Sequence, residues 1–440
     1  MSTNPLMDLA ERAVAHAKKC GAQEAVATVG KSRFIDLQIR ENKLEKVKES
    51  TTSGLGIALY VDGRYSSHSS SDMRWETLDG FIARAVPMTR LLGIDPHRVM
   101  TDPKYYANRP TDDLSLCDPD YGAVETKRRE ELARAVEAAA RGVKGPIISV
   151  TSGYYDTLGE AVRVHSNGFA GEQRTTQSWM GAEVTIEDEG GKKPEEYHWV
   201  GARYHRELPD PAQVGRDAAE RAVRRRGQVK LASGTMTIVL ENRIARRMLG
   251  PLLGAMSGSA IQQKRSFLMD MQGKSIGSKK LTLKDDPLRK KGFGSRLFDG
   301  DGISARPRTL VDGGVLSEYF IDVYYAHKLV VEPTGGSESN LLLPGGTRDA
   351  AAIIKDVKQG IYVTGILGGN SDPVGGDFSH GVAGFEIVNG VLGRPVGEMN
   401  VTGNHKTLWN QLVEVGNDPY PYSSALLPTL VFENVSVSGV

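Results

Sequence analysis

Nine histidines supply the most versatile chemistry in the chain: His16, His68, His97, His165, His198, His205, His327, His380 and His405. No two lie three to five residues apart, so no single helix can offer a local pair of imidazoles to a metal. Cys20 and Cys117 are the only cysteines, too few for a four-cysteine zinc site. Asp377, Ser379 and His380 crowd together in the segment Gly375–Gly381. Adjacency does not make a catalytic triad, because triad members are placed by the fold. A glycine-rich turn, with Asp377 and Ser379 bonded to nearby backbone, accounts for the same residues. The run Thr334-Gly335-Gly336-Ser337-Glu338-Ser339-Asn340 could cradle an anion with backbone amides. It lacks the Gly-Lys-Ser/Thr ending of a nucleotide loop, and close approach of two backbones explains its glycines better. Phe298-Asp299-Gly300-Asp301-Gly302 suggests a calcium loop but lacks the alternating oxygen ligands and distal Glu, which favours turn chemistry.

The elements that must position these groups centre on Gly234–Gly258. Met236, Ile238 and Leu240 alternate with Thr235, Thr237 and Val239, a strand pattern, and Ile244, Met248, Leu252 and Ala255 then recur at helical spacing. Pro251 predicts a kink or restart near Gly250. Between Asn242 and Ile261 there is no His, Asp, Glu or Cys, so on chemistry alone this is a core helix.

Before it, Asn4-Pro5 opens a helix ending at Gly21, strands are expected at Ala25–Val29, Ile35–Arg40 and Gly56–Val61, and a helix carrying Trp75, Leu78, Ile82 and Ala85 stops before Pro87. After a connection from Asp102 to Tyr121 the pattern repeats: a helix from Val124 to Gly142, strands at Ile147–Tyr154, Ala161–His165 and Met180–Ile186, and a helix from Asp210-Pro211 to Arg224-Arg225-Arg226. Ile39-Arg40-Glu41-Asn42 with Thr51-Thr52-Ser53 parallels Val164-His165-Ser166-Asn167 with Thr175-Thr176-Gln177-Ser178, which points to duplication. The expected division is an N-terminal α+β region, residues 1–227, with possible repeats at 1–110 and 120–227, and a strand-rich region at 228–440. The expected fold class is α+β: helices on antiparallel sheets, followed by a mostly antiparallel barrel- or sandwich-like domain. Asp312-Gly313-Gly314 and Asn389-Gly390 read as hairpin turns, and the basic stretch Lys279–Lys291 as a solvated loop.

The 440 residues carry a formal net charge of +1, and acidic and basic residues nearly balance on each side of Gly227. That is not the basic excess nucleic-acid binding needs. No run of about 18 apolar residues exists, so no membrane span is expected, and a reducing cytoplasm is the default.

The strand and helix at Gly234–Gly258, with TGGSESNLLLPGG, GGDFSHGVAGFEIVNG, RPVGEMNVTGN and LPTLVFENVSVSG, resemble the TldD/PmbA family, the "modulator of DNA gyrase" peptidases. The resemblance covers essentially the whole C-terminal half. Catalytic TldD-type members carry His-Glu-x-x-x-His in this helix. An ungapped reading puts Gly250, Pro251 and Ala255 at those positions, and Val415-Gly416-Asn417-Asp418-Pro419 where the catalytic branch has its cysteine ligand. The chain therefore resembles the PmbA (TldE) branch. That implies no metal or catalytic residue here, with zinc on a TldD-like catalytic partner and unfolded peptide as substrate. It also marks Thr334, Gly335, Gly336, Ser337 and Asn340, with Gly376, Asp377, Phe378, Ser379 and His380, as candidates for the peptide cleft. The alternatives are a stand-alone homodimeric peptide-binding module and an active peptidase with unrecognised ligands.

Overall fold

The structure, a computed structural model, describes residues 4–440. Asn4 caps α1 (Pro5–Lys19) by accepting from the Leu6 N–H, and Pro5 occupies the first turn, where no donor is needed. Then come β1 (Glu24–Arg40), β2 (Lys43–Val61), β3 (Arg64–Ser70) and α2 (Trp75–Thr89). The same succession returns as α3 (Thr126–Arg141), β4 (Ile147–His165), β5 (Ala170–Ile186), β6 (Glu195–Ala202) and α4 (Pro211–Arg224). The six strands form one sheet, in the order β3-β2-β1-β4-β5-β6, joined across the middle by the antiparallel pair β1–β4.

All four helices lie on one face of this sheet. Ala25, Ala27 and Val29 of β1 pack under α1 and α2, and Ile39, at the other end of the same face, packs with α3 and α4. Between the two helix pairs Lys31 and Arg33 fall on that face and are not covered. This gap explains why the apolar alternation breaks mid-strand. The sequence pattern predicts two strands at Ala25–Val29 and Ile35–Arg40, and again at Ile147–Tyr154 and Ala161–His165, where the structure has single long strands. Likewise α2 runs past Pro87 to Thr89; the proline falls in the last turn, where Thr89 Oγ1 donates to the Ala85 carbonyl at 2.8 Å.

β7 (Gly234–Leu240) leads directly into α5 (Asn242–Ala255). Short elements follow: α6 (Gly258–Gln262), β8 (Leu283–Asp285), β9 (Arg308–Asp312), β10 (Val315–Leu316), α7 (Val323–Leu329), β11 (Leu341–Leu342) and α8 (Ala350–Ile354). Long strands then return as β12 (Gln359–Ser371), β13 (Asp377–Val388) and β14 (Val391–Asn404), with α9 (His405–Leu408), β15 (Leu412–Val415), β16 (Ala425–Leu426) and β17 (Leu430–Ser438) completing the chain. β17 pairs with both β7 and β14, closing β7-β12-β13-β14-β17 into a five-stranded barrel; only β7–β12 is parallel among its pairs. The α+β class and the barrel form of the C-terminal region are thus present. Asn389 and Gly390, both at positive φ, make the β13–β14 hairpin turn. Ile238, Ile361, Val382, Val401 and Phe432 share one core with α5 and the small sheet β10-β9-β8-β11-β16.

Candidate functional site

α5 begins at a largely buried ion pair. Glu241, directly before it, accepts from both Nη atoms of Arg221 on α4, at 2.7 and 2.8 Å. Ile244, Ala245, Met248, Leu249, Leu252, Leu253 and Ala255 form its buried face. The helix continues through Pro251 to Ala255, so of the kink or restart expected near Gly250 the restart does not occur. Its outer face is lined by guanidiniums. Arg243 donates to the Tyr197 carbonyl at 3.0 Å, and Arg246 Nη2 donates to Glu338 Oε1 at 2.6 Å. A Cβ at Gly250 would lie 3.5 Å from Arg246 Nη1. Ala255 is buried, and its carbonyl accepts from Ser266 Oγ at 2.6 Å.

The segment 334–340 is held from inside by two arginines. Arg308, buried and paired with Asp285 at 3.0 Å, donates to the carbonyls of Thr334 and, at 3.0 Å, Ser337. Arg296 donates to Ser337 and Glu338 carbonyls at 2.8 and 3.1 Å. Three of its amides are committed within the protein: Thr334 and Gly335 N–H to the Ile321 carbonyl, Ser339 N–H to Asp285. Gly335 has φ +97°, and a Cβ on Gly336 would come within 2.9 Å of Asp322 Cβ. Asn340 is buried; its amide donates to Asp286 and Ser295 and its oxygen accepts from Gly294 N–H at 2.9 Å. The side chain of this segment that reaches α5 is Glu338.

The segment 376–380 turns over Asp372. Asp372 accepts from the amides of Val374 and Gly375 at 2.9 and 2.8 Å, and Asp377 accepts from Asn404 Nδ2 at 2.8 Å. Gly376 has φ +91°, and a Cβ there would lie 3.0 Å from Asn404 Oδ1, so only glycine suits it. Phe378 is buried, stacks on His380 and packs tilted against His405, and Phe267 stacks on His405. The Nε2 atoms of His380 and His405 both lie 3.4 Å from Ser371 Oγ. Burial pushes both histidines down, His405 to about 4 with help from its neighbour His380, so both are neutral at neutral pH. Ser379 lies on β13, paired with Asn370 and Thr402. No hydrogen bond joins 376–380 to 334–340 among the described residues; each instead packs onto or beside α5 and the loop that follows it. Residue spacing carries no sign of Ser371, His405 or Phe267, which the barrel assembles from β12, α9 and the loop after α6.

The C-terminal loop lies at the start of α5, with Asn242 Nδ2 donating to the Asp418 carbonyl at 2.7 Å. Both Asp418 carboxylate oxygens accept from Thr429, at 3.0 and 2.7 Å, and Val415 is buried. Among the described residues no group of three or more His, Cys, Asp or Glu side chains could hold a metal. The residues at the motif positions do not fit zinc: a glycine, a proline and an alanine offer no donor, and the guanidinium of Arg246 lies beside Gly250.

Three family models match in succession: PmbA/TldA metallopeptidase domain 1 over residues 25–88, the central domain over 119–226 and the C-terminal domain over 233–439. The chain belongs to the PmbA/TldD metallopeptidase family. Among relatives, the metalloprotease PmbA of Escherichia coli O157:H7 is 29% identical over 430 residues, covering 97% of this chain and 94% of that one. A crystal structure from Bacteroides thetaiotaomicron, of a protein whose name links it to modulation of DNA gyrase, is 40% identical with a TM-score of 0.97 and full coverage of both chains. TldE of Thermococcus kodakarensis shares the fold, with a TM-score of 0.86 at 21% identity over 98% of this chain and all of that one. No helix among the described residues of this PmbA/TldD-family chain is long and apolar enough to cross a membrane.

Proposed function

We propose that this chain is the non-catalytic subunit of a PmbA/TldD-type metallopeptidase. It pairs with a TldD-like relative that carries the zinc, and it contributes a wall of the space in which unfolded peptide is held. The observation that carries this reading is the set of side chains on and beside α5. At the motif positions stand Gly250, Pro251 and Ala255, and the neighbouring polar position is filled by Arg246, pinned by Glu338 at 2.6 Å. A hydrolytic zinc site needs about three protein ligands and a base, and a guanidinium can serve as neither. Meanwhile the helix, barrel and glycine-rich turns of a peptidase remain.

The test is cleavage of an unfolded peptide by this chain, by a relative bearing His-Glu-x-x-x-His, and by the mixture. Activity is expected from the mixture and not from this chain. Chelator-sensitive cleavage by this chain alone would refute the proposal. Equal activity of the relative with and without this chain would remove the partnership.

A further inference from the structure

The geometry points to a second peptide-contact surface: the helix-free face of the six-stranded sheet binds an extended segment that carries a carboxylate, with Arg203 as its anchor. This deepens the peptide-contact role proposed above and rests on it.

Side chains on that face fall in rows across the strands. Two adjacent rows are small: Gly54, Gly30 and Ala161 pair in register, as do Thr52, Ser32 and Gly159. They floor a trough of about 590 Å³ that ends at Arg203 and Phe293. Crossing four strands at about 4.8 Å spacing gives roughly 14 Å, room for about four extended residues. The hydroxyls of Ser32, Thr52, Thr157 and Thr175 face the trough with no hydrogen-bond partner among the described residues.

Beyond the trough rises an aromatic ridge. Tyr155 and Trp179 are register partners stacked at 13°, and Phe293 packs on Trp179 with centroids 5.1 Å apart. Trp179 lies flat on Gly201, where a Cβ would come within 2.4 Å of the ring.

Arg203 joins trough and ridge. It is 6% exposed, it is the register neighbour of Gln177 just past Ala202, and its guanidinium lies 5.4 Å from the Phe293 ring. Nη1 donates to the Thr176 carbonyl at 3.2 Å, and Nη2 to the carbonyls of Gly292 and Phe293 at 2.9 and 2.7 Å. Nε has no partner, and no ion pair reaches this residue among the described residues. Burial alone pushes it down to about 10, so it stays charged at neutral pH. Neutral donors could have held those three carbonyls. A full charge buried without a carboxylate is costly, and an anion supplied by a ligand would offset that cost. Phe293 and Trp179 beside it would take an aromatic or apolar side chain next to that carboxylate.

The experiment uses the full chain and fluorescein-labelled hexapeptides read by anisotropy. One peptide ends in Trp-Glu amide, one in Trp-Gln with a free C-terminus, and one in Trp-Gln amide. At least tenfold tighter binding of either carboxylate peptide than of the neutral one is expected, and the comparison tells side chain from terminus. Equal binding of all three overturns the proposal. Arg203→Gln should abolish the preference, though it could also release the Gly292–Phe293 loop. Gly30→Leu avoids that difficulty, because a Cβ at Gly30 meets only the Glu160 carbonyl at 3.7 Å. It should fill the trough and weaken binding at least tenfold with an unchanged melting temperature; wild-type affinity in this variant overturns the proposal. If the chain stimulates its relative while the peptides ignore Gly30→Leu, the trough falls and the subunit role stands. If the peptides need the trough but no relative responds, the reverse holds.

Discussion

Arg246 and Glu338, 2.6 Å apart, tie the outer face of α5 to the glycine-rich segment 334–340. Arg246 Nη1 lies 3.5 Å from where a Cβ on Gly250 would stand, so the first motif position has a guanidinium for its neighbour. The triple variant Gly250→His, Pro251→Glu, Ala255→His should therefore fail to acquire zinc. His at 250 meets a guanidinium, and His at 255 must enter a position that is 2% exposed. Overpacking there should lower stability by about 1–3 kcal/mol. Elemental analysis and thermal melting check both points; about one tightly bound zinc per chain would show the scaffold is still competent.

Much of this site was legible in the sequence, and the illegible part has a physical cause. The buried face of α5 and the turn at Asn389-Gly390 follow from local periodicity and from φ > 0. Pro251 does not restart the helix, whose buried leucines Leu249, Leu252 and Leu253 lie on both sides of it. The Ser371–His380–His405 group and the Arg308–Asp285 pair under segment 334–340 join residues far apart in the chain. Barrel closure, not spacing, brings them together.

Arg129 and Asp156 form a buried pair at 2.6 Å, 2% and 0% exposed, with Tyr121 and Tyr154 hydroxyls donating to the same carboxylate. Arg129→Ala leaves a buried carboxylate without its cation and should cost about 3–5 kcal/mol. Arg129→Met combined with Asp156→Asn should recover much of that loss. Urea unfolding of the two variants measures the difference; a loss below about 1 kcal/mol in the single variant would contradict the argument.

Val330 closes α7 in the left-handed region, at φ 58° and ψ 49°, and is 88% exposed. A β-branched residue there is strained by about 1–2 kcal/mol, with no packing in return. Val330→Gly removes the strain but adds chain entropy, so a net gain of up to about 1 kcal/mol is expected. The check is a melting temperature that rises, or at the least does not fall. A clear drop would show that Val330 is covered by contacts in solution.

Acid should destabilise the protein well above the usual carboxylate range. Burial holds His405 and His198 at about 4 and His165 at about 3, and it lowers His380 as well. An unfolded histidine titrates near 6.5, so below that pH the unfolded chain binds more protons than the folded one. The stability these groups contribute is complete above pH 6.5 and is lost progressively as the pH falls towards 4. Asp301 acts in the opposite sense: burial raises it to about 6, so the folded state gains a proton first and is relatively favoured as the pH falls from 6 to 4. Burial raises Asp299 and Glu183 in the same sense and lowers His205 in the other, which leaves five histidines against three carboxyls. His405 is 1% exposed between Phe267 and Phe378, and its Nδ1 has no hydrogen-bond partner among the described residues. His405→Phe keeps the stacking and removes one titration, worth up to about 3 kcal/mol between pH 6.5 and 4. Urea midpoints measured from pH 7.5 to 4.5 should fall more gently for His405→Phe than for the wild type. Parallel curves would mean that His405 takes up its proton as readily in the folded barrel as in the unfolded chain.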